Sequence, residues 1–231
     1  MSTDPTLYEL FLSRDDRDCH KWHHYFEVYE RYLRPFRQKE SCKILEIGVQ
    51  KGGSLRLWKE YFGAKARLYG IDVDPSCKIL QKEGFHVFIG DQTDAKFMTD
   101  LMKRIGPIDV LIDDGGHTTD QQIMTFLMLF PLVKDGGVYI VEDVHSNFWP
   151  GYNTSRFGIN FYDFAKGLTD KLSSWHMDIR SFEALSIPPK ERTTAINNPN
   201  ELGKSIFGIH FYDSMIVFEK RKIKEPWRER R

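Results

Sequence analysis

Cysteine is scarce in this 231-residue chain: only Cys19, Cys42 and Cys77. An odd number in no paired spacing argues against a disulfide framework or a thiolate zinc site, and a reducing, cytoplasmic setting is expected. Net charge is also missing, with Lys plus Arg and Asp plus Glu at 33 each. No global field therefore draws the chain to nucleic acid or to an anionic membrane, and a small or neutral substrate fits better. No apolar run approaches the roughly 18 residues that span a bilayer, and the start MSTDPTLYEL lacks the pattern of a secretory signal. Neither export nor insertion is expected. Internal repeats and low-complexity segments are absent too. What remains, at 41% hydrophobic and 29% charged residues, suits one domain over 1–231 with a sizeable core.

From Lys43 onward, short apolar runs alternate with helix-length segments. Strands are expected near 43–49, 67–72, 85–90, 108–113 and 137–142, and helices over 55–62, 75–83, 94–105 and 120–133. Such alternation predicts an α/β fold, a doubly wound and mostly parallel sheet. The run SIFGIHFYDSMIVFEK adds an antiparallel C-terminal hairpin turning near Tyr212 to Ser214, for seven strands in all. Tyr25, Tyr29, Tyr32 and Leu33 share one helical face, predicting a helix over 22–36 that ends near Pro35. Residues 1–42 then form a helical lid and 43–231 the core. A further helix is expected over 159–172, a long loop over 187–203, and a solvated basic tail from Lys220.

The first strand runs into Glu46, Gly48, Gly52 and Gly53, spaced E-x-G-x-x-x-G-G, with a helix behind. A dinucleotide turn favours G-x-G-x-x-G, so a nicotinamide oxidoreductase is disfavoured. Glycines let the backbone touch a ligand, and the N-H groups of the next helix face the same spot. Taken alone, these glycines also fit an ordinary strand-to-helix turn. Asp72 closes the second strand, where a carboxylate can accept both ribose hydroxyls, and Asp91 and Gln92 close the third, within reach of an adenine edge. Asp113 ends the fourth strand, as a weaker cofactor contact or as a cap of the next turn.

A second cluster lies further along the chain. Asp114 and His117 sit beyond the fourth strand, and Glu142 and Asp143 end the fifth. Neighbouring strands are about 5 Å apart, so these carboxylates converge. Like charges that close need a cation or raised pKa values, and an all-oxygen set suits Mg2+. A metal-bound hydroxyl is more acidic, and His117 can take its proton near neutral pH. The bland alternative is a helix cap at Asp114, a solvated strand end at 142–143 and a packed His117. His145, Trp149 and Tyr152 are substrate contacts or ordinary loop and packing residues.

Six segments together are similar to the metal-dependent sugar O-methyltransferases of the macrocin and mycinamicin type. They are KWHHYFEVYERYLRPF from Lys21, ILEIGVQKGGSLRLWKEYF from Ile44, YGIDVD, GDQTD, IDDGGH and YIVEDV. The resemblance implies that Asp114, Glu142 and Asp143 bind magnesium and that His117 is the general base. It also implies that Glu46, Gly48, Ser54, Asp72, Asp91 and Gln92 surround S-adenosylmethionine. The implied acceptor is a sugar hydroxyl of a glycoside, nucleotide sugar or polysaccharide, and the resemblance leaves room for a homo-oligomer. The family's Asp-Lys before tryptophan is His20-Lys21 here; the 187–203 loop and residues 145–158 are expected to shape acceptor choice, and His23, His24, Tyr25 and His210 are polar-aromatic candidates near the entrance or ordinary structural and exposed residues. Rival readings are methylation of a catechol-like molecule and a non-catalytic cofactor-binding module. A nucleic-acid methyltransferase is disfavoured by the balanced charge.

Overall fold

Seven strands form one sheet in the order β3-β2-β1-β4-β5-β7-β6. The computed structural model describes residues 4–15, 18–37, 39–177, 183–193 and 196–231. The strands are β1 (Lys43–Ile47), β2 (Arg67–Asp72), β3 (His86–Ile89), β4 (Ile108–Asp113), β5 (Val133–Val141), β6 (Ile206–Tyr212) and β7 (Met215–Lys220). The first five are mutually parallel, and β7 inserts antiparallel between β5 and β6. The expected doubly wound sheet with its closing hairpin is therefore present. From β1 the chain winds outward to β3, then returns to β4 on the other side. The carboxyl ends of β1 and β4 thus form the switch point, where open α/β sheets leave a crevice.

Both faces of the sheet are covered, which is why the central strands read as nearly continuous apolar runs. Ile44, Val110, Ile112, Val138, Ile140 and Val217 face α1 (Leu7–Leu12), α2 (Tyr25–Arg37) and α3 (Gly53–Phe62). Leu45, Leu111, Tyr139, Val141, Ile216 and Phe218 face α4 (Ala95–Ile105), α5 (Thr119–Leu129) and α6 (Phe161–Gly167). Local chemistry sets the helix starts. The Asp94 carboxylate accepts from the Lys96 and Phe97 amides at the head of α4, and Thr118 with Gln121 forms a capping box on α5. Among the described residues no helix is long and apolar enough to cross a membrane.

Several boundaries differ from expectation. Pro35 lies inside α2, which runs on to Arg37; in a last turn a proline costs one backbone bond and has little helix beyond it to break. The helix expected to Val133 stops at Leu129, because Pro131 imposes a 3-10 turn over Phe130–Leu132 and Val133 already belongs to β5. Pro75–Glu83 is 3-10 rather than α-helical. The 159–172 segment splits into α6, capped by the Asn160 side chain, and a 3-10 stretch over Thr169–His176. The 187–203 loop contains a 3-10 turn at Pro189–Glu191, while its residues 194–195 lie outside the described residues. Buried Arg192 bonds Glu225 at 2.6 Å, so part of the basic tail is docked rather than solvated.

Phe126 is a keystone of the second layer. Its ring stacks on Phe130 at 4.8 Å and meets Tyr139, Phe164 and Phe218. Phe126→Ala is expected to destabilise the fold by about 3–5 kcal/mol, measured by urea unfolding. A loss below about 1 kcal/mol would remove this ring from its structural role.

Candidate active site

The switch point is built by backbone contact. The Gly48 amide donates to the Ile71 carbonyl at 2.8 Å, and the Asp114 amide to that of Ile47 at 3.0 Å. Gly48 has φ +84°, and a Cβ there would lie 2.0 Å from the Asp114 carbonyl oxygen. Only glycine lets β1 and the loop after β4 approach this closely. Between them opens a crevice of about 200 Å³ lined by Gly48, Gln50, Asp72, Gln92, Asp114 and Gly115 among others. Asp72 is fixed by the Gln50 and Asp74 amides, at 2.8 and 2.9 Å.

The remaining candidates at the strand ends divide by side-chain direction. Gln92 lines the crevice, bonds Asp113 and Thr125, and receives the Gly116 amide. Asp91 next to it is exposed, its carboxylate taken by the Thr93 amide and hydroxyl. Asp113 is buried beneath the crevice, accepting from Tyr139 at 2.9 Å and Gln92 at 3.1 Å. Glu46 is fully buried and accepts from Ser54 at 2.8 Å and the Trp58 indole at 3.1 Å. Neither Glu46 nor Ser54 lines the crevice.

The acidic cluster comes together as β4 and β5 pair, with Asp113 in register with Val141. Asp114, Glu142 and Asp143 line a second cavity of about 470 Å³ that shares Asp114 with the crevice. The His117 Nε2 atom lies 3.8 Å from Asp114 and 3.7 Å from Asp143. One ligand atom from each of these three residues falls within 4.8 Å of the others. Glu142 is outside that group of three but lines the same cavity. It accepts from the Tyr29 hydroxyl, its two oxygens accept from the Lys21 ammonium at 2.8 and 2.9 Å, and the same ammonium lies 2.6 Å from Asp114. Tyr25 donates to Asp143 at 2.6 Å. Lys21 and Tyr29 were not among the residues expected at this site, and Tyr25 was expected only near its entrance or as a structural residue. Tyrosine periodicity placed Tyr25 and Tyr29 on one face, without showing that their hydroxyls reach carboxylates.

The electrostatics arise from burial. Burial and then the Asp114 charge push Glu142 above the ordinary carboxylate range, against the pull of Lys21. Burial lifts Glu46 to about 7, again against Lys21. Burial also disfavours the Lys21 charge, but Asp114 and then Glu142 outweigh it and hold the ammonium well above its usual range. The backbone is strained in the same place. The described non-glycine residues with positive φ are Gln50, His117, Asp143 and Ser214, at 43°, 59°, 51° and 65°. Such strain gathers where a surrounding structure enforces a working geometry. For His117 the enforcing bond is the Ser146 hydroxyl on its carbonyl, at 2.7 Å.

An aromatic wall rises beside His117. The His145 ring meets Trp22 at 6.0 Å and Trp149 at 4.6 Å, and Trp149 meets Tyr152. Trp22 and Trp149 are 55% and 50% exposed, leaving ring surface for a ligand. His145 also bonds the Ser214 hydroxyl. His23 pairs with Tyr8, His24 with the Asp213 carbonyl, and His210 with Glu219. A larger groove of about 1030 Å³ runs over Tyr8, His23, His24 and Arg34, but it contains none of the site carboxylates.

Residues 45–144 match a family described as "Methyltransferase domain". The chain is 32% identical to the 8-demethyl-8-alpha-L-rhamnosyl tetracenomycin-C 2'-O-methyltransferase of Streptomyces olivaceus, over 94% of this chain and 59% of that protein. It is 30% identical to the mycinamicin VI 2''-O-methyltransferase of Micromonospora griseorubida, over 86% and 48%. A solved methyltransferase from the mycinamycin biosynthetic pathway, in complex with Mg, SAH and mycinamycin VI, superposes with a TM-score of 0.77. That match has 28% identity and covers 98% of this chain and 56% of the other. The chain spans about half the length of the curated relatives it matches.

Asp113 generates a pH prediction. Burial raises its carboxyl from 3.8 to about 6, so the folded state binds this proton more tightly than the unfolded one. The resulting stabilisation is full below about pH 4 and is lost as pH rises through about 6, amounting to about 3 kcal/mol at most. Asp113→Asn should therefore flatten part of the decline in urea stability between pH 4 and pH 7. An unchanged slope would show that the Asp113 proton does not differ between the two states.

Proposed function

We propose that the chain, whose residues 45–144 match the methyltransferase-domain family, is an S-adenosylmethionine-dependent, Mg2+-assisted O-methyltransferase acting on a sugar hydroxyl. The acceptor class is a sugar carried by a larger molecule, as the names of the rhamnosyl tetracenomycin and mycinamicin relatives imply for those proteins. The single observation that carries the reading is Asp114. It lines both the glycine-walled crevice and the acidic cavity, so a donor in one and a hydroxyl in the other meet at one residue. The balanced charge supports a small glycosidic acceptor over a nucleic acid.

The donor set suits magnesium. Asp114 and Asp143 offer hard oxygen ligands within reach of one point, and Glu142 adds oxygens that share the Lys21 ammonium with Asp114 in the same cavity. When bound, such an ion acidifies a coordinated hydroxyl and holds it in place. The chain's own residues do the rest. His117 takes the hydroxyl proton at Nε2, and Asp114 and Asp143, each within 4 Å, stabilise the resulting imidazolium. Gly48 and Gly115 keep the crevice free of side chains, while Asp72 and Gln92 orient the donor. S-adenosylmethionine held by these residues would supply the methyl group to the deprotonated hydroxyl. The described part of the segment before β1 serves as the cover, since its Lys21, Tyr25 and Tyr29 reach onto the carboxylates.

The direct test is incubation of labelled S-adenosylmethionine with glycoside mixtures and magnesium, read by mass spectrometry. Label is expected on a sugar oxygen, lost in excess chelator and restored by added Mg2+. Turnover confined to phenolic diols would redirect the acceptor assignment, and full activity in chelator would remove the ion. His117→Ala should lower turnover by about 100-fold or more while leaving S-adenosylmethionine affinity unchanged by calorimetry. Wild-type turnover in that variant would strip His117 of the base role.

A further inference from the structure

The Lys21 side chain is 2% exposed, and its ammonium contacts Asp114 at 2.6 Å and both Glu142 oxygens, at 2.8 and 2.9 Å. Glu46 adds a third carboxylate at 4.0 Å. These are the same anionic oxygens assigned to magnesium above, and the inference rests on that assignment. An ion bonded to Asp114 and Glu142 sits about 2 Å from their oxygens, within the shell that the ammonium occupies. Two cations cannot share that shell without strong repulsion. We propose that Lys21 is an intramolecular counter-ion which competes with the divalent metal for Asp114 and Glu142, and which the metal displaces on binding.

The placement of Lys21 in the chain allows such an exchange. It lies on the segment between α1 and α2, in a stretch without regular secondary structure. Withdrawing its side chain breaks no helix or strand. Tyr29 remains on Glu142 and Tyr25 on Asp143, so the carboxylates keep their positions when the ammonium leaves. The same segment crosses α3, where a Cβ on Gly53 would lie 2.4 Å from the Asp18 carbonyl. That close backbone contact does not involve the Lys21 side chain, so the segment stays seated on the start of α3 when the ammonium leaves.

The test is Mn2+ binding, followed by the electron paramagnetic resonance signal of free Mn2+, with thermal unfolding as a second readout. Lys21→Met is expected to bind Mn2+ at least about ten-fold more tightly than the wild type, and its melting point should rise more on Mn2+ addition. Removing a positive charge raises metal affinity by itself, so the double variant Lys21→Met with Glu46→Gln, assayed at about pH 8 where Glu46 is ionised and the local net charge is kept, is decisive. Tighter binding than wild type in the double variant supports competition, whereas a return to wild-type affinity overturns it. The double variant also carries the test if the single one does not fold. Wild-type Mn2+ binding without any gain in the variants sinks this inference alone. No Mn2+ binding in any of the proteins sinks it together with the magnesium reading.

Discussion

Concentration of negative charge at two adjacent strand ends is the constraint on which the rest of this structure depends. Parallel pairing of β4 with β5 brings Asp114, Glu142 and Asp143 together, and Glu46 lies buried close behind. Carboxylates that close are stable only with compensation. The fold supplies it from the N-terminal segment, as one ammonium and two phenols. Lys21 answers Asp114 and Glu142, Tyr29 answers Glu142, and Tyr25 answers Asp143. The helical cover over the sheet is thus tied to the site by electrostatics as well as by the apolar packing of Phe26, Leu33 and Phe36.

A second constraint is steric. The crevice exists because β1 and the loop after β4 meet backbone to backbone at Gly48 and Asp114. The polypeptide around this contact is held in conformations that residues with a Cβ rarely adopt. His117 and Asp143 both sit at positive φ, and a bond from the Ser146 hydroxyl to the His117 carbonyl and one from the Asp143 amide to the Tyr25 hydroxyl keep them there. Strain and charge therefore occupy the same few residues, supported by a sheet whose central strands are almost wholly buried.

Much of this was legible in the residue order. The sheet announced itself through short apolar runs, since strands buried on both faces need no alternation. The proximity of Asp114 to Glu142 came from the winding order alone. Orientation was harder to read. Of the pairs Asp91-Gln92 and Asp113-Asp114, the structure turns Gln92 and Asp114 to the crevice and Asp91 and Asp113 away from it. Successive side chains at a strand end alternate in direction, so one member of a pair faces the ligand side and composition does not say which. Lys21 was beyond reach for a different reason. It is separated by 93 residues from Asp114 and by 121 from Glu142, and no local spacing rule connects a pre-helical lysine to a strand end. Its signal was indirect: three carboxylates predicted side by side demanded a cation, and the chain itself contains one.

The two sides of the site differ in how freely they can change over evolutionary time. Position 48 admits no added atom without moving the backbone of its neighbour, so drift on the donor side is blocked by geometry. Trp22, Trp149 and Tyr152 on the opposite wall are between 38% and 55% exposed, and exchanging one disturbs little of the core. A lineage built on this scaffold can swap acceptors by altering those rings while inheriting its donor cleft intact.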